Sequence, residues 1–200
     1  MQEQMERIYQ LIKLSEKLKM ELRHSWLSNG RQESVAEHTW RLSLMAIVLQ
    51  PYLEKDIHME KLLKMLIIHD LVEAEAKDIP AFETLHNEAL RLQKQQNERK
   101  AIENIRSMLQ DKAGEEIYQL WLEFETKETY EAKVANALDK LEVQIQHLEA
   151  DIRTWKDIEY EMCFMLEKHT SFSPILSELK SLIEQEAREK ISQAKGQYLT

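Results

Sequence analysis

The chain has 200 residues, enough for one domain with a real core, and a hydrophobic content of 43% argues against disorder. A net charge of −9 removes the electrostatic drive for general binding to nucleic acid polymers, although a metal and one or two arginines could still hold a mononucleotide phosphate. The single cysteine, Cys163, excludes an internal disulfide and a four-cysteine zinc site and fits a reducing cytoplasm.

Gly and Pro are scarce, three of each, and Leu, Glu, Lys, Gln, Ala and Met dominate, which predicts an all-α chain of long elements. The opening Met1-Gln2-Glu3-Gln4-Met5-Glu6 is acidic and polar, unlike a secretion signal. No run of about 18 apolar residues is present to span a membrane. The spacing of Ile8, Leu11, Ile12 and Leu18 predicts a first helix over residues 4–20. Residues 21–33 read as irregular, with Asn29-Gly30 as a turn. Ser34-Val35-Ala36-Glu37 is a capping box, so a helix starts at Val35 and runs to about Gln50, before Pro51. Further helices are predicted at 59–75, 82–111, 115–124, 128–153, 157–168 and 174–192. Residues 83–112 carry many charges and few large apolar side chains, which points to a surface or a subunit contact. Trp40, Trp121 and Trp155 read as core. With no alternating strand pattern, no repeat and no linker composition, residues 1–200 form a single domain.

The chemistry concentrates in a few polar residues set in apolar helical runs. In Leu66-Ile67-Ile68-His69-Asp70-Leu71-Val72-Glu73, a His and an Asp interrupt such a run. A buried, unpaired carboxylate is costly, and a divalent cation would compensate it. For a bare His-Asp dipeptide a solvated pair at the edge of the apolar face is the commoner explanation, because such pairs arise often by chance. His38 follows the capping box, in the first turns of its helix. Asp139 interrupts the stripe Val134, Leu138, Leu141, Ile145 and Leu148. Glu73 lies one turn after His69 and shares its face, and Asp78 precedes Ile79-Pro80. Taken singly, each is compatible with a structural role. His24, beside Arg23, could reach a phosphate; His58, His86, His147 and His169 show no partner at ligand spacing.

Taken together, the order His…His-Asp…Asp on three helices resembles the ligand pattern of the HD-domain metal-dependent phosphohydrolases, and in particular the bacterial 5′-deoxyribonucleotidase branch. The stretches that carry the resemblance are Arg23-x-x-Trp26, Glu33-Ser34-Val35-Ala36-Glu37-His38, His69-Asp70-x-x-Glu73, Asp78-Ile79-Pro80 and Asp139-Lys140-Leu141-Glu142, over roughly residues 8–150. The segment 155–200 supplies additional C-terminal helices. The resemblance implies a compact multi-helix HD-domain bundle with its metal site between helices. It implies His38, His69, Asp70 and Asp139 as ligands of one divalent ion (Mn, Co, Mg, Ni, Fe or Zn), a donor set that suits hard or borderline metals. It also implies Glu73 and Asp78 as the catalytic acid and base, Arg23 as the phosphate ligand, Trp26 as a nucleoside contact, and a homodimer. The expected reaction is release of phosphate from nucleoside 5′-monophosphates, with deoxyribonucleotides preferred, by attack of metal-activated water. Alternatives are a triphosphate, cyclic or signalling nucleotide as substrate, or a non-catalytic helical binding protein stabilised by metal. One departure stands out: the family often has a small residue, commonly Gly, where this chain has Lys77.

Overall fold

The computed structural model describes residues 1–197. Helix α1 (Gln2–Leu14) runs into a 3-10 turn (Ser15–Lys19), followed by an antiparallel hairpin of β1 (Leu22–Trp26) and β2 (Gln32–Ser34). Then come α2 (Val35–Leu49), α3 (Met59–Ile68), α4 (Glu73–Ala76), α5 (Ala81–Leu85) and α6 (Glu88–Leu109). The chain continues through α7 (Lys112–Thr126), α8 (Tyr130–Glu149), α9 (Glu159–Met162), α10 (Glu167–Thr170) and α11 (Pro174–Gln197). The fold is the all-α bundle expected, with one small hairpin added.

Helix α8 is the centre of the bundle. It packs against α2, α3, α7 and α11, and its buried residues lie all round it, as a helix enclosed by others requires. Its Leu138 and Leu141 meet Leu42 and Met45 of α2, Leu62, Met65 and Leu66 of α3, and Leu176 of α11 in one core. Asp139 and Glu142 lie buried in this same helix. The chain therefore places two acids where only apolar groups are cheap. Gly114 lets α7 approach α6 closely, since a Cβ there would lie 2.8 Å from the Arg106 carbonyl.

Several sequence expectations need correction. Residues 21–33 are not irregular: Asn29-Gly30 closes a hairpin, with Gly30 at φ +83°. The polar strand Leu22–Trp26 has no clean alternation, so only the Asn-Gly turn could have announced it. The helix expected over 59–75 stops at Ile68. It tightens into a turn in which the amides of Leu71 and Glu73 donate to the carbonyls of Ile68 and Asp70, before α4 resumes. The span 82–111 divides at His86–Asn87 into α5 and α6, and Asn87 caps α6 by accepting from the Leu90 amide at 3.0 Å. Helix α6 is not merely superficial, because Ala101, Ile102, Ile105 and Leu109 are buried. The span 157–168 holds α9 and the start of α10 rather than one helix. Trp40, expected in the core, is 67% exposed, while Trp121 and Trp155 are buried. The capping box forms as read: Ser34 Oγ accepts from the Glu37 amide at 3.3 Å, and Glu37 Oε2 accepts from the Ser34 amide at 2.9 Å.

Candidate metal centre and active site

Three elements deliver the expected ligands to one point. His38 stands in the first turns of α2, His69 and Asp70 follow the end of α3, and Asp139 lies mid-way along α8. The ligand atoms of His38, His69 and Asp139 all lie within 4.8 Å of one another, and all three residues are buried. Asp70 Oδ2 lies 3.1 Å from His69 Nε2 and 3.8 Å from His38 Nε2. The His38 Nε2 to Asp139 Oδ1 distance is 3.2 Å. The turn after Ile68 brings the adjacent His69 and Asp70 to the same point.

The hydrogen bonds decide which imidazole nitrogens are free. His69 Nδ1 donates to the Leu66 carbonyl at 2.7 Å, and His38 Nδ1 donates to Glu142 Oε2. Both partners only accept, so a ring that carries one proton holds it on Nδ1 and presents its Nε2 lone pair to the cluster. His69 Nε2 is buried and without a hydrogen-bond partner. A buried lone pair facing two carboxylates fits a divalent cation. The surrounding carboxylates also draw positive charge to this point, as a proton on His38 or as a cation. Burial and Arg23 oppose a positive His38, yet Glu142 and Asp139 outweigh them and raise it to about 9. Burial likewise opposes the ionised Asp70, but His69, Arg23 and His38 hold it well below the usual carboxylate range. Asp139 is held low by Lys140, His38 and His69 against burial.

A second group of close donors, Glu33, His38 and Glu142, supports this centre instead of forming another. Its His38 nitrogen is already occupied by Glu142, and Glu142 Oε1 accepts from Arg41 Nε at 2.7 Å. Arg41 reaches on to Glu149 at 2.6 Å and to Gln146. The sequence reading missed Glu142 and Arg41 in these positions. Each lies three residues beyond a ligand, so helical spacing was the available signal.

Arg23 on β1 reaches in from the hairpin. Its Nη1 lies 3.3 Å from Asp70 Oδ2 and its Nε 3.6 Å from Glu33 Oε2. Glu33 is buried, and burial together with Glu142 pushes it up to about 7. Glu73 is buried with Oε2 unpartnered, and burial, Asp70 and Asp78 push its carboxyl well above the usual range. Burial also raises Asp78, against Arg23 and Lys94. Lys94 on α6 was not singled out from sequence, and no local pattern marks it. Trp26 packs edge-on against His24, whose ring also meets Phe82, at centroid distances of 4.7 and 4.8 Å. His24 and His147 each approach the buried Glu159, at 3.5 and 3.6 Å. The two histidines thus share a partner that sequence spacing did not reveal.

A family model of the HD domain matches residues 15–182. The chain belongs to the HD domain family. Among its relatives, the protein named 5′-deoxynucleotidase HDDC2 of Danio rerio is 32% identical over 187 residues, 92% of this chain and 90% of the relative. The HDDC2 of Dictyostelium discoideum is 33% identical over 147 residues, covering 70% of this chain and 75% of the relative. A solved structure described as a predicted metal-dependent phosphohydrolase from Magnetospirillum magnetotacticum MS-1 superposes with a TM-score of 0.79 at 27% identity, covering 96% and 97% of the two chains. With this family membership, the His/Asp cluster is a site able to bind a divalent metal ion. No helix among the described residues is long and apolar enough to cross a membrane.

Proposed function

We propose that this HD-domain chain is a metal-dependent phosphomonoesterase that releases phosphate from nucleoside 5′-monophosphates, with deoxyribonucleotides preferred. The observation that carries the reading is the convergence of two imidazole Nε2 atoms and two carboxylates beside an arginine and a buried acid with a free oxygen. A purely structural metal site needs only the ligands. The names of the Danio rerio and Dictyostelium discoideum relatives support the substrate class.

In this reading His38, His69, Asp70 and Asp139 would hold the ion. When bound, a divalent ion neutralises phosphoryl charge and acidifies water in its neighbourhood. Arg23 turns its planar fork to the phosphate oxygens. Glu73 and Asp78 handle the protons: one orients and deprotonates the attacking water, the other protonates the leaving 5′-oxygen. Glu73, the more deeply buried, is suited to carry the proton. Trp26, edge-on to His24, which in turn meets Phe82, offers an aromatic surface to the nucleoside. No covalent enzyme intermediate is needed, and the chemistry rests on positioning and charge. We further infer a cytoplasmic homodimer. The outer stripe of α2, with Trp40, Leu44, Ile47 and Val48 exposed, supports self-association.

The test is phosphate release by chelator-stripped protein refilled with manganese, cobalt, magnesium or zinc. Substrates are the deoxyribo- and ribonucleoside 5′-monophosphates, with 3′-monophosphates and triphosphates as controls, and Asp70→Ala runs alongside. Release confined to 5′-monophosphates, dependent on metal and absent in Asp70→Ala, is expected. A folded, metal-loaded protein that releases phosphate from none of them refutes the reading.

A further inference from the structure

Lys94 stands in the second turn of α6, the helix that composition alone assigns to the surface. Its ammonium donates to the Ile79 carbonyl at 3.1 Å and lies 3.6 Å from Glu98 Oε1. Ile79 follows Asp78 directly. On the other side of Asp78, its amide donates to Glu21 Oε1 at 3.1 Å, and Glu21 Oε2 pairs with Lys77 Nζ at 2.7 Å. The Lys77–Ile79 segment is therefore held by two elements, the chain just before β1 and α6. It needs such holding, because Lys77 sits at φ +73°, which an L side chain does not favour.

Charge adds a second reason. Asp70, Glu73 and Asp78 lie near enough to act on one another's charge, and Arg23 also lies beside Asp70 and Glu33. Lys94 brings a cation from another direction. Burial opposes its charge, but Glu98, Glu73, Asp78 and Asp70 outweigh this and raise its pKa.

We propose that Lys94 is a positioning residue for the reaction: its ammonium fixes the main chain at Ile79 and so places the Asp78 carboxyl near Glu73. The proposal rests on the reading of Glu73 and Asp78 as the proton-handling pair. Lys94 touches no reacting atom and acts through Asp78.

Lys94→Met, Lys94→Gln and Lys94→Arg are compared with the unaltered full-length protein, each metal-loaded, on a deoxyribonucleoside 5′-monophosphate. Amide hydrogen exchange across residues 77–79 is measured on the same samples. Loss of the ammonium should lower kcat about 100-fold, the scale of a small misplacement of a reacting group. KM should change little, exchange at Asp78 and Ile79 should accelerate, and Lys94→Arg should recover most of both. Unchanged kcat in a folded Lys94→Met or Lys94→Gln protein overturns the proposal. So does a loss confined to KM with loop exchange unaltered, which would make Lys94 a substrate contact. If the unaltered protein hydrolyses no nucleotide, the nucleotidase reading fails, and the exchange comparison still decides whether Lys94 fixes the loop.

Discussion

Lys77 lies next to Asp78 in a backbone conformation, φ +73° and ψ 150°, that only glycine adopts freely. Holding a side chain there costs about 1–3 kcal/mol. The lysine gives something back through its 2.7 Å contact with Glu21, but its side chain is 67% exposed. Such an exposed pair contributes about 0.2–1 kcal/mol. Lys77→Gly removes the strain and the ion pair, and loosens the unfolded chain at a cost of about 0.5–1 kcal/mol. Near the middle of these ranges the glycine variant gains roughly 0.5 kcal/mol over the lysine protein. Lys77→Ala is the informative comparison, because it loses the ion pair and keeps the strain. Glycine should exceed alanine by about 1 kcal/mol, or about 2–4 °C in Tm for a chain of this size. Urea melts of the three proteins, with parallel slopes, read the order directly: glycine at or above lysine, lysine above alanine. Alanine matching or exceeding glycine would refute the strain argument.

Glu142→Gln weakens the carboxylate that orients His38, and manganese affinity of the stripped protein by calorimetry should fall about 10–100-fold with the fold intact; equal affinity would remove Glu142 from the support of the site. Burial raises Glu98 to about 7 from 4.5, against the pull of Lys94. The folded chain therefore keeps a proton there that the unfolded chain releases, so the Glu98 contribution is complete below pH 4.5 and is lost as pH rises through about 7. The stability of Glu98→Gln relative to the unaltered protein should then improve between pH 5 and pH 8, and a difference independent of pH would contradict the assignment. Trp40→Glu places a charge on the exposed α2 stripe and should convert a dimer to monomer by light scattering while the monomer keeps its fold; a monomeric unaltered protein would dismiss the dimer.

What could be read in the chain follows from what burial costs. Asp139 and His38 became legible only through the order in which they stand with His69 and Asp70, because an acid in an apolar stripe and a His after a capping box each fit a structural role when taken alone. Trp40 was not legible, since α2 carries apolar residues on both faces: Leu42, Met45 and Ala46 point inward, while Trp40, Leu44, Ile47 and Val48 lie exposed. Periodicity cannot choose between two apolar faces, and only the packing of α3 and α8 does. The break after Ile68 was hidden because Leu71 and Val72 continue the apolar run while the backbone turns. Lys94 marks the deeper limit. An ammonium on a flexible stem looks solvated from its neighbours Gln93 and Gln95, and its partner at Ile79 lies fifteen residues away, before α5. Acids in apolar surroundings announce that a cation is needed; which cation answers is decided by the fold.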